Sequence, residues 1–255
     1  MPTDAAGHAT ELARGAVAQG ADVVLVLGGD GTINEAANGL VHSGVPLGVI
    51  PAGTANVLAM ELGLGSHLEP AIERLFKFEP RPIALGRLIA GGEEKFFLAM
   101  AGAGLDAKIV TAVNPALKQR TGKLAYWAAG LAQFPRKLDQ LRVRVHGHIY
   151  QCGFALASRV RNYGGDLEIA SGASLLRDDF EVVLFEGDHP LRYACYMIGV
   201  GLRRVQKMPG VRTFAAQCLE ILPEAHLQID GEYAGRHAAR IQIAPAALNL
   251  LMPVQ

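Results

Sequence analysis

The strongest constraint on the fold of this chain is an apolar stretch that runs into a glycine-rich turn, VVLVLGGDGTINE at positions 23–35. Its five consecutive apolar residues, 23–27, predict a short strand that is covered on both faces. Gly28, Gly29 and Gly31 let the backbone turn sharply, and they let a ligand approach closely because glycine has no Cβ. A bare turn needs only one glycine, so this spacing favours a turn that binds a ligand.

The polar residues of the same turn indicate what it binds. Asp30, Thr32 and Asn34 are candidate caps for a helix that begins there. The N-terminus of such a helix directs free N–H groups and the positive end of its dipole at the turn, which favours a phosphate group. We therefore expect a phosphate-binding turn.

A second unit of the same kind follows. LGVI at 47–50 is typical of another buried strand, PAGTAN at 51–56 is the loop, and a helix is expected over 57–62. Two strand–loop–helix units in succession predict a parallel sheet whose loops meet at the carboxyl ends of the strands. Thr54 and Asn56 would offer a hydroxyl and an amide to a nucleotide there. For Asn56, a helix cap is an equally good interpretation.

These motifs resemble, in order along the chain, those of the diacylglycerol kinase/sphingosine kinase catalytic family. GGDGTIN at 28–34 is similar to its GGDGT-N segment, and PAGTAN at 51–56 is similar to its P-x-GT-AN segment. Further matches to its T-x-x-x-G-H-A, G-x-G-x-D, G-K-x-x-Y and D-G-E segments are found at 3–9, 102–106, 122–126 and 230–232. GGDGT alone is shared with nicotinamide-nucleotide kinases and phosphofructokinases, whereas the combination is specific.

The chain changes character near the PRP segment at 80–82. Strands alternate with helices before it, and strand patterns dominate after it. We expect an α/β N-terminal nucleotide domain with a parallel sheet, like that of NAD kinase and phosphofructokinase, followed by a C-terminal β-sandwich-like domain. The first would comprise residues 1–80 with a returning segment 246–255, and the second residues 81–245. The strands predicted in the second domain are 83–89, 96–100, 141–145, 149–157, 180–185, 227–229 and 241–243, and its helices are 124–134 and 191–205.

The resemblance implies an ATP-dependent lipid kinase that transfers the γ-phosphoryl group to a lipid hydroxyl. It assigns Asp230 as the general base, although from the residues alone an Asp-Gly hairpin turn explains this position as well. Asp30 is the candidate Mg²⁺ ligand, with a backbone hydrogen bond or a helix cap as its alternatives. Glu232 either supports the site or is an exposed strand residue. The nucleotide-binding residues that we expect are Thr3, Gly28, Gly29, Asp30, Gly31, Thr32, Asn34, Thr54 and Asn56.

Other residues of the shared motifs have simpler interpretations. His8 is expected to cap its own helix or to reach the nucleotide. Asp106 is expected to begin a helix, with a nucleotide contact as its alternative. Lys123 and Tyr126 are expected to be structural.

The N-terminus departs from the family pattern. Family members usually begin with a strand and an N-P-x-x-G loop before the position of Thr3, whereas this sequence opens at Met1. We expect a truncated start, with a reduced nucleotide site as the alternative. Ala84 also stands where many members have an Asp, so one acidic contribution near the nucleotide is expected to be lost.

A second departure concerns a metal. Many members hold a structural Mg²⁺ with an A-x-L-x-D-G segment, but ASLLRDD at 173–179 has Arg177 at the acidic place. Asp178 or Asp179 would have to substitute for that acid, or the guanidinium would replace the cation. The sequence therefore leaves open whether a structural Mg²⁺ site survives at Arg177, Asp178 and Asp179.

Charge and composition limit the partners. Lys plus Arg and Asp plus Glu number 24 each, so the chain has no overall field for nucleic acid. Cys152, Cys195 and Cys218 lack metal-binding spacing and are typical of reduced thiols. No apolar run reaches the length of a membrane span. We expect a cytoplasmic protein.

Two apolar segments, at 126–134 and 193–205, are candidates for lipid contact. Arg203, Arg204, Lys207 and Arg212 lie at and beyond the end of the second, which suits an anionic surface. A core helix with a solvated basic end is the alternative for each segment. The expected partners are a lipid substrate and, peripherally, the inner face of the membrane, and a homodimer is left open.

Two other functions are left open by the sequence. A soluble nucleotide-cofactor kinase is disfavoured by the GTAN loop at 53–56, close behind GGDGT. A degenerate, non-catalytic nucleotide- or lipid-binding protein is supported by Ala84 and Arg177 and opposed by Asp230 and the intact glycine turn. The sequence does not identify the lipid.

Overall fold

The computed structural model describes residues 1–105, 107, 138–164 and 167–254. Its helices are α1 (His8–Ala18), α2 (Asp30–Leu40), α3 (Val57–Glu61), α4 (Leu68–Leu75) and α5 (Pro190–Gly201), with a 3₁₀ turn at Val205–Lys207. Its strands are β1 (Val24–Gly28), β2 (Leu47–Pro51), β3 (Phe78–Ala90), β4 (Glu93–Phe97), β5 (Met100–Gly104), β6 (Leu141–Val145), β7 (His148–Cys152), β8 (Phe154–Ser158), β9 (Asn162–Tyr163), β10 (Leu167–Glu168), β11 (Phe180–Phe185), β12 (Val211–Ala216), β13 (Cys218–Ile229) and β14 (Glu232–Pro253).

Twelve of these strands form one mixed sheet, and β9 with β10 forms a separate hairpin. The order along the sheet is β1-β2-β14-β13-β5-β8-β11-β12, with β3 and β4 added beside β14 and with β6 and β7 added beside β13. The pairs β1–β2 and β2–β14 are parallel. The strands of the C-terminal part pair antiparallel. An α/β N-terminal part and a sandwich-like C-terminal part are therefore both observed, as predicted.

The glycine-rich turn follows an edge strand. β1 pairs with β2 in register from Val24↔Leu47 to Gly28↔Pro51. We predicted that β1 is covered on both faces, and this prediction was wrong. Only alternate residues turn inward, so Leu25 and Leu27 are 53% and 59% exposed while β2 is buried. The outer face of β1 is therefore largely open.

A long antiparallel pair joins the two parts of the molecule. β3 follows β14 from Ala90↔Ala239 to Phe78↔Pro253, with one bulge between Ala244 and Leu248. The returning end of β14 is buried beside β2, where Leu250 pairs with Leu47. The division into residues 1–80 with 246–255 and residues 81–245 remains our proposal.

The C-terminal sheet carries a different core on each face. Alternate residues of β5, β8 and β11 point into the sandwich, where they meet residues of β6, β13 and β14 such as Val143 and Ile221. The intervening residues, among them Phe154 and Phe185, point to the opposite face and pack against α5. Because successive side chains of a strand point to opposite faces of the sheet, these strands contribute to both cores.

Several element predictions were confirmed and others changed. The hairpin around Gly91 and Gly92 forms as expected. The strand predicted at 149–157 is interrupted at Gly153, whose N–H donates to the Phe185 carbonyl and the Tyr193 hydroxyl, both at 3.0 Å. The helix predicted at 191–205 ends at Gly201. The helix predicted at 124–134 lies outside the described residues.

Candidate active site

The two glycine loops touch each other. The N–H of Ala52 donates to the Gly28 carbonyl at 3.0 Å, which continues the β1–β2 pairing into the loops. A Cβ placed on Gly53 would lie only 2.5 Å from the Cα of Gly29. The loops therefore meet backbone to backbone, which requires glycine at position 53.

Helix α2 begins inside the first loop. Its N-cap is Gly29, and within the described residues no side chain caps the helix with a hydrogen bond. Our expectation that Asp30, Thr32 or Asn34 caps this helix was wrong. Instead, Asp30 Oδ1 accepts a hydrogen bond from the N–H of Leu58 at 3.3 Å, at the start of α3. The first N–H groups of α2 are left for an anion.

Asn56 holds the second loop in shape. Its Oδ1 accepts from the Gly53 N–H and its Nδ2 donates to the Gly53 carbonyl, both at 2.8 Å. The residue is 3% exposed and has a left-handed backbone, with φ 47°. Its amide is occupied within the loop, so Asn56 acts by positioning the loop, while Thr54 beside it is exposed.

Asp230 lies at the turn between β13 and β14. Its Oδ1 accepts from the N–H groups of Ala99 and Met100 at 3.0 and 2.8 Å, and its Oδ2 accepts from Leu98 at 3.0 Å. Burial raises the pKa of this carboxyl to about 6, against the lowering effect of the three N–H groups, and the nearby Asp30 carboxylate adds to the rise. Asp230 therefore forms a held carboxylate that is more basic than an ordinary Asp.

Glu232 lies over the glycine-rich turn. A Cβ placed on Gly31 would come within 2.6 Å of Glu232 Oε1, so this contact depends on the glycine. The sequence left the role of Glu232 open, and its place two residues beyond Asp230 on a strand was the available signal. The carboxylates of Asp30 and Glu232 thus border the same turn, and the Asp30 carboxylate is near enough to Asp230 to raise its pKa.

One positioning residue was missed by the sequence reasoning. Asn38 on α2 donates through Nδ2 to the Phe96 carbonyl at 2.9 Å and accepts through Oδ1 from the Phe96 N–H at 3.1 Å. Phe96 lies two residues before the N–H groups that hold Asp230. The side chain of Asn38 therefore ties the helix of the phosphate-binding turn to the support of Asp230. No motif signalled this contact.

The remaining predicted residues are placed as follows. Thr3 is exposed in the segment before α1, and Thr32 and Asn34 are half-buried on the first turns of α2. His8 begins α1, and its Nδ1 accepts from the Asp4 N–H at 3.1 Å. Ala84 is buried in β3. Asp106, Lys123 and Tyr126 lie outside the described residues.

The residues at 173–179 do not fit a metal ion, because an arginine side chain already donates hydrogen bonds to the carbonyl oxygens of this segment. Arg159 is 0% exposed, and its guanidinium donates to the carbonyls of Leu175 at 2.8 Å, Arg177 at 2.8 Å and Asp179 at 3.2 Å. Arg177 pairs with the Asp179 carboxylate and donates to the Gly172 carbonyl at 3.0 Å. The oxygen atoms that would bind a cation therefore accept from guanidinium groups.

The glycine-rich turn is the second place where the sequence suggested a metal ion. Within the described residues, no cluster of three His, Cys, Asp or Glu side chains forms a ready metal site. Mg²⁺ on a nucleotide needs only one or two carboxylates, since phosphate oxygens and water complete its shell. Asp30 and Glu232 meet that requirement.

Two protein families match the chain. The family described as the diacylglycerol kinase catalytic domain matches residues 1–88. The family described as the YegS C-terminal NAD kinase beta sandwich-like domain matches residues 99–252.

Similar proteins are known from bacteria. A diacylglycerol kinase of Mycobacterium tuberculosis (strain CDC 1551 / Oshkosh) is 29% identical over 97% of this chain and 82% of its own length. A diacylglycerol kinase of Bacillus subtilis (strain 168) is 28% identical over 98% of this chain and 84% of its own length. The crystal structure of a diacylglycerol kinase from Bacillus anthracis str. Sterne shares the fold, with a TM-score of 0.78 and 19% identity over 99% of this chain and 84% of that one.

Proposed function

We propose that this chain, a lipid kinase of the diacylglycerol kinase family, phosphorylates the hydroxyl group of diacylglycerol or a closely related lipid. A kinase of this family uses ATP as the donor. A degenerate binding protein and a soluble nucleotide-cofactor kinase are not favoured. The observation that carries the proposal is the held carboxylate of Asp230 beside two touching glycine loops.

The glycine loops are proposed to bind the ATP phosphates. Gly28, Gly29 and Gly31 leave the backbone N–H groups at the start of α2 open to a phosphate, and Thr54 adds an exposed hydroxyl from the second loop. Thr32 and Asn34 are close enough in sequence to add further contacts. Thr3 is retained as a proposed contact on the resemblance alone.

Asp230 is proposed to accept the proton of the lipid hydroxyl. A carboxylate has about four lone-pair sites. Oδ1 already accepts two hydrogen bonds and Oδ2 accepts one. The site on Oδ2 that none of these bonds uses is therefore the proposed proton acceptor. The three N–H groups fix its direction, and the raised pKa increases its basicity.

We propose that the carboxylates of Asp30 and Glu232 would hold a Mg²⁺ ion that accompanies the nucleotide. When bound, this ion neutralises charge on the transferring phosphoryl group. The carboxylates of this chain would otherwise repel the phosphates, so the pairing of these acids with a phosphate-binding turn favours a divalent cation.

The lipid is proposed to reach the site through the C-terminal part. An apolar pocket lies between α5 and the sheet, lined in part by Phe154, Phe185, Tyr193, Met197 and Val200. All of its lining residues have apolar or aromatic side chains, which suits an acyl chain. No helix within the described residues is long and apolar enough to cross a membrane.

The test is transfer of labelled γ-phosphate from Mg-ATP to a panel of lipids, with wild type compared with Asp230→Asn. We expect one lipid class to be labelled and the variant to lose at least about a hundredfold in kcat. The matched control is Asp22→Asn, an exposed carboxylate in the connection between α1 and β1. Unchanged ATP binding in Asp230→Asn would separate catalysis from folding. Full activity of Asp230→Asn would contradict the assignment of the base.

A further inference from the structure

The outer face of α5 is an uncovered apolar stripe. Leu191, Ile198 and Leu202 are 70%, 65% and 65% exposed, and Cys195 between them is also exposed. Their spacing of four, three and four residues places them in one row along the helix. The opposite face of α5 is buried, with Tyr193, Tyr196 and Val200 packed toward the sheet. A surface helix usually has a polar outer face, so this apolar one indicates a binding surface.

A basic turn follows directly on this stripe. Arg203, Arg204 and Lys207 are all exposed, and the buried Val205 anchors the 3₁₀ turn that carries them. From 190 to 217 the sequence has five basic residues and no Asp or Glu. This local excess stands out because the whole chain has no net charge.

The stripe and the basic turn together fit one kind of partner. Apolar side chains in a row beside exposed cations are the pattern of helices that lie in the interface of an anionic bilayer. A second copy packed through the same stripe would cover the apolar row but would bring no carboxylate to the cations, because residues 190–217 contain no Asp or Glu.

The stripe is connected to the glycine loops through the β9–β10 hairpin. This hairpin packs against α5 on one side and against α3 on the other. Beside it, the Glu61 carboxylate accepts from the Arg161 backbone N–H at 3.2 Å and from its Nε at 3.3 Å. A continuous series of packed elements therefore leads from α5 to α3, the helix that follows the loop carrying Thr54.

We propose that Leu191, Ile198 and Leu202 insert into an anionic bilayer and that Arg203, Arg204 and Lys207 bind its phosphate headgroups. This inference rests on the proposed function, since a lipid acceptor is presented by a membrane. It adds the surface that makes the contact and the charge of the lipid that this surface prefers.

The experiment is co-sedimentation of the full chain with vesicles, without ATP. One set contains phosphatidylglycerol and phosphatidylcholine in equal parts, and the other contains phosphatidylcholine alone. We expect binding to the anionic vesicles, lowered about tenfold or more in the double variant Ile198→Glu/Leu202→Glu. A triple variant, Arg203→Gln/Arg204→Gln/Lys207→Gln, should lose the preference for anionic vesicles and its dependence on salt.

The matched control is Phe76→Glu, which removes another exposed apolar side chain, 85% exposed at the end of α4. Equal vesicle binding by Phe76→Glu and by the double variant would overturn the proposal. A concentration-dependent dimer that the double variant abolishes, with vesicle binding unchanged, would also overturn it and assign the stripe to a second copy.

Activity on a short-chain, water-soluble diacylglycerol separates this proposal from the proposed function. The double variant should keep that activity within about twofold, because Ile198 and Leu202 do not line the apolar pocket. Vesicle binding without any lipid phosphorylation would contradict the proposed function and leave the docking surface intact.

Discussion

At the scale of single residues, the site depends on where carboxylates are held. Asp230 accepts hydrogen bonds from three backbone N–H groups, and Asp30 accepts one from the start of α3. Glu232 lies over Gly31. The carboxylates of Asp30 and Asp230 are fixed by backbone N–H groups of other segments. Their chemistry is therefore set by the fold around them, and two predictions test this.

The first prediction concerns pH. Burial raises the pKa of Asp230 from 3.8 to about 6, so a base at this position is ionised only as the pH passes about 6. We expect kcat/KM for the free enzyme to rise with a slope of about one below that pH and to level off above it. Between the two pKa values the native carboxyl keeps a proton that the unfolded chain has lost, so its contribution to the free energy of unfolding falls as pH rises.

A pH–rate profile of wild type beside Asp230→Asn measures this effect. The variant should lose the inflection along with the rate. An inflection near pH 4 in wild type, or one near 6 that persists in the variant, would contradict the assignment.

The second prediction concerns Gly31→Ala. The added Cβ would lie 2.6 Å from Glu232 Oε1, so the carboxylate must move away from the turn. We expect kcat to fall about tenfold to a hundredfold while the free energy of unfolding is retained, because alanine is a better helix former. Gly15→Ala in α1 is the matched control, since nothing lies within 4 Å of its Cβ. Steady-state kinetics and urea unfolding on both variants decide, and equal kcat values would contradict the role of Glu232.

At the scale of elements, the segment at 172–179 is held by the buried guanidinium group of Arg159. Three of its carbonyls accept from the Arg159 guanidinium, whose pKa burial lowers to about 10, so it stays charged near neutral pH. Its Nε has no hydrogen-bond partner among the residues that the structure describes. The segment therefore has its positive charge built into the chain.

The third prediction follows from this arrangement. Arg159→Met leaves those carbonyls without donors and should lower the free energy of unfolding by about 3 kcal/mol. Arg142→Met, at an exposed position on β6, should change it by no more than about 0.5 kcal/mol. Adding EDTA to wild type should leave the unfolding midpoint unchanged. A lowered midpoint with EDTA, restored by Mg²⁺, would contradict the claim that arginine serves in place of a metal.

At the scale of the whole molecule, much of the architecture was predictable from the sequence. The glycine turn, the second loop and the change near residue 80 indicated an α/β part followed by a sandwich-like part, because they depend on local pattern. The exposure of Leu25 and Leu27 was missed, since five consecutive apolar residues show no alternation and therefore predict burial on both faces. The contacts of Arg159 and Asn38 join segments that are distant in sequence, so no spacing rule revealed them.

The long β3–β14 pair has a mechanical consequence. It runs through both parts of the molecule without a break in β3, and β14 departs from it only at residues 245–247, where Ala246 has a φ of 47°. Because the two parts share this continuous strand pair, they cannot rotate as separate bodies about a flexible hinge. Any opening between the glycine loops and the sandwich must therefore bend this strand pair. We expect such movements to be small, elastic and centred on the bulge.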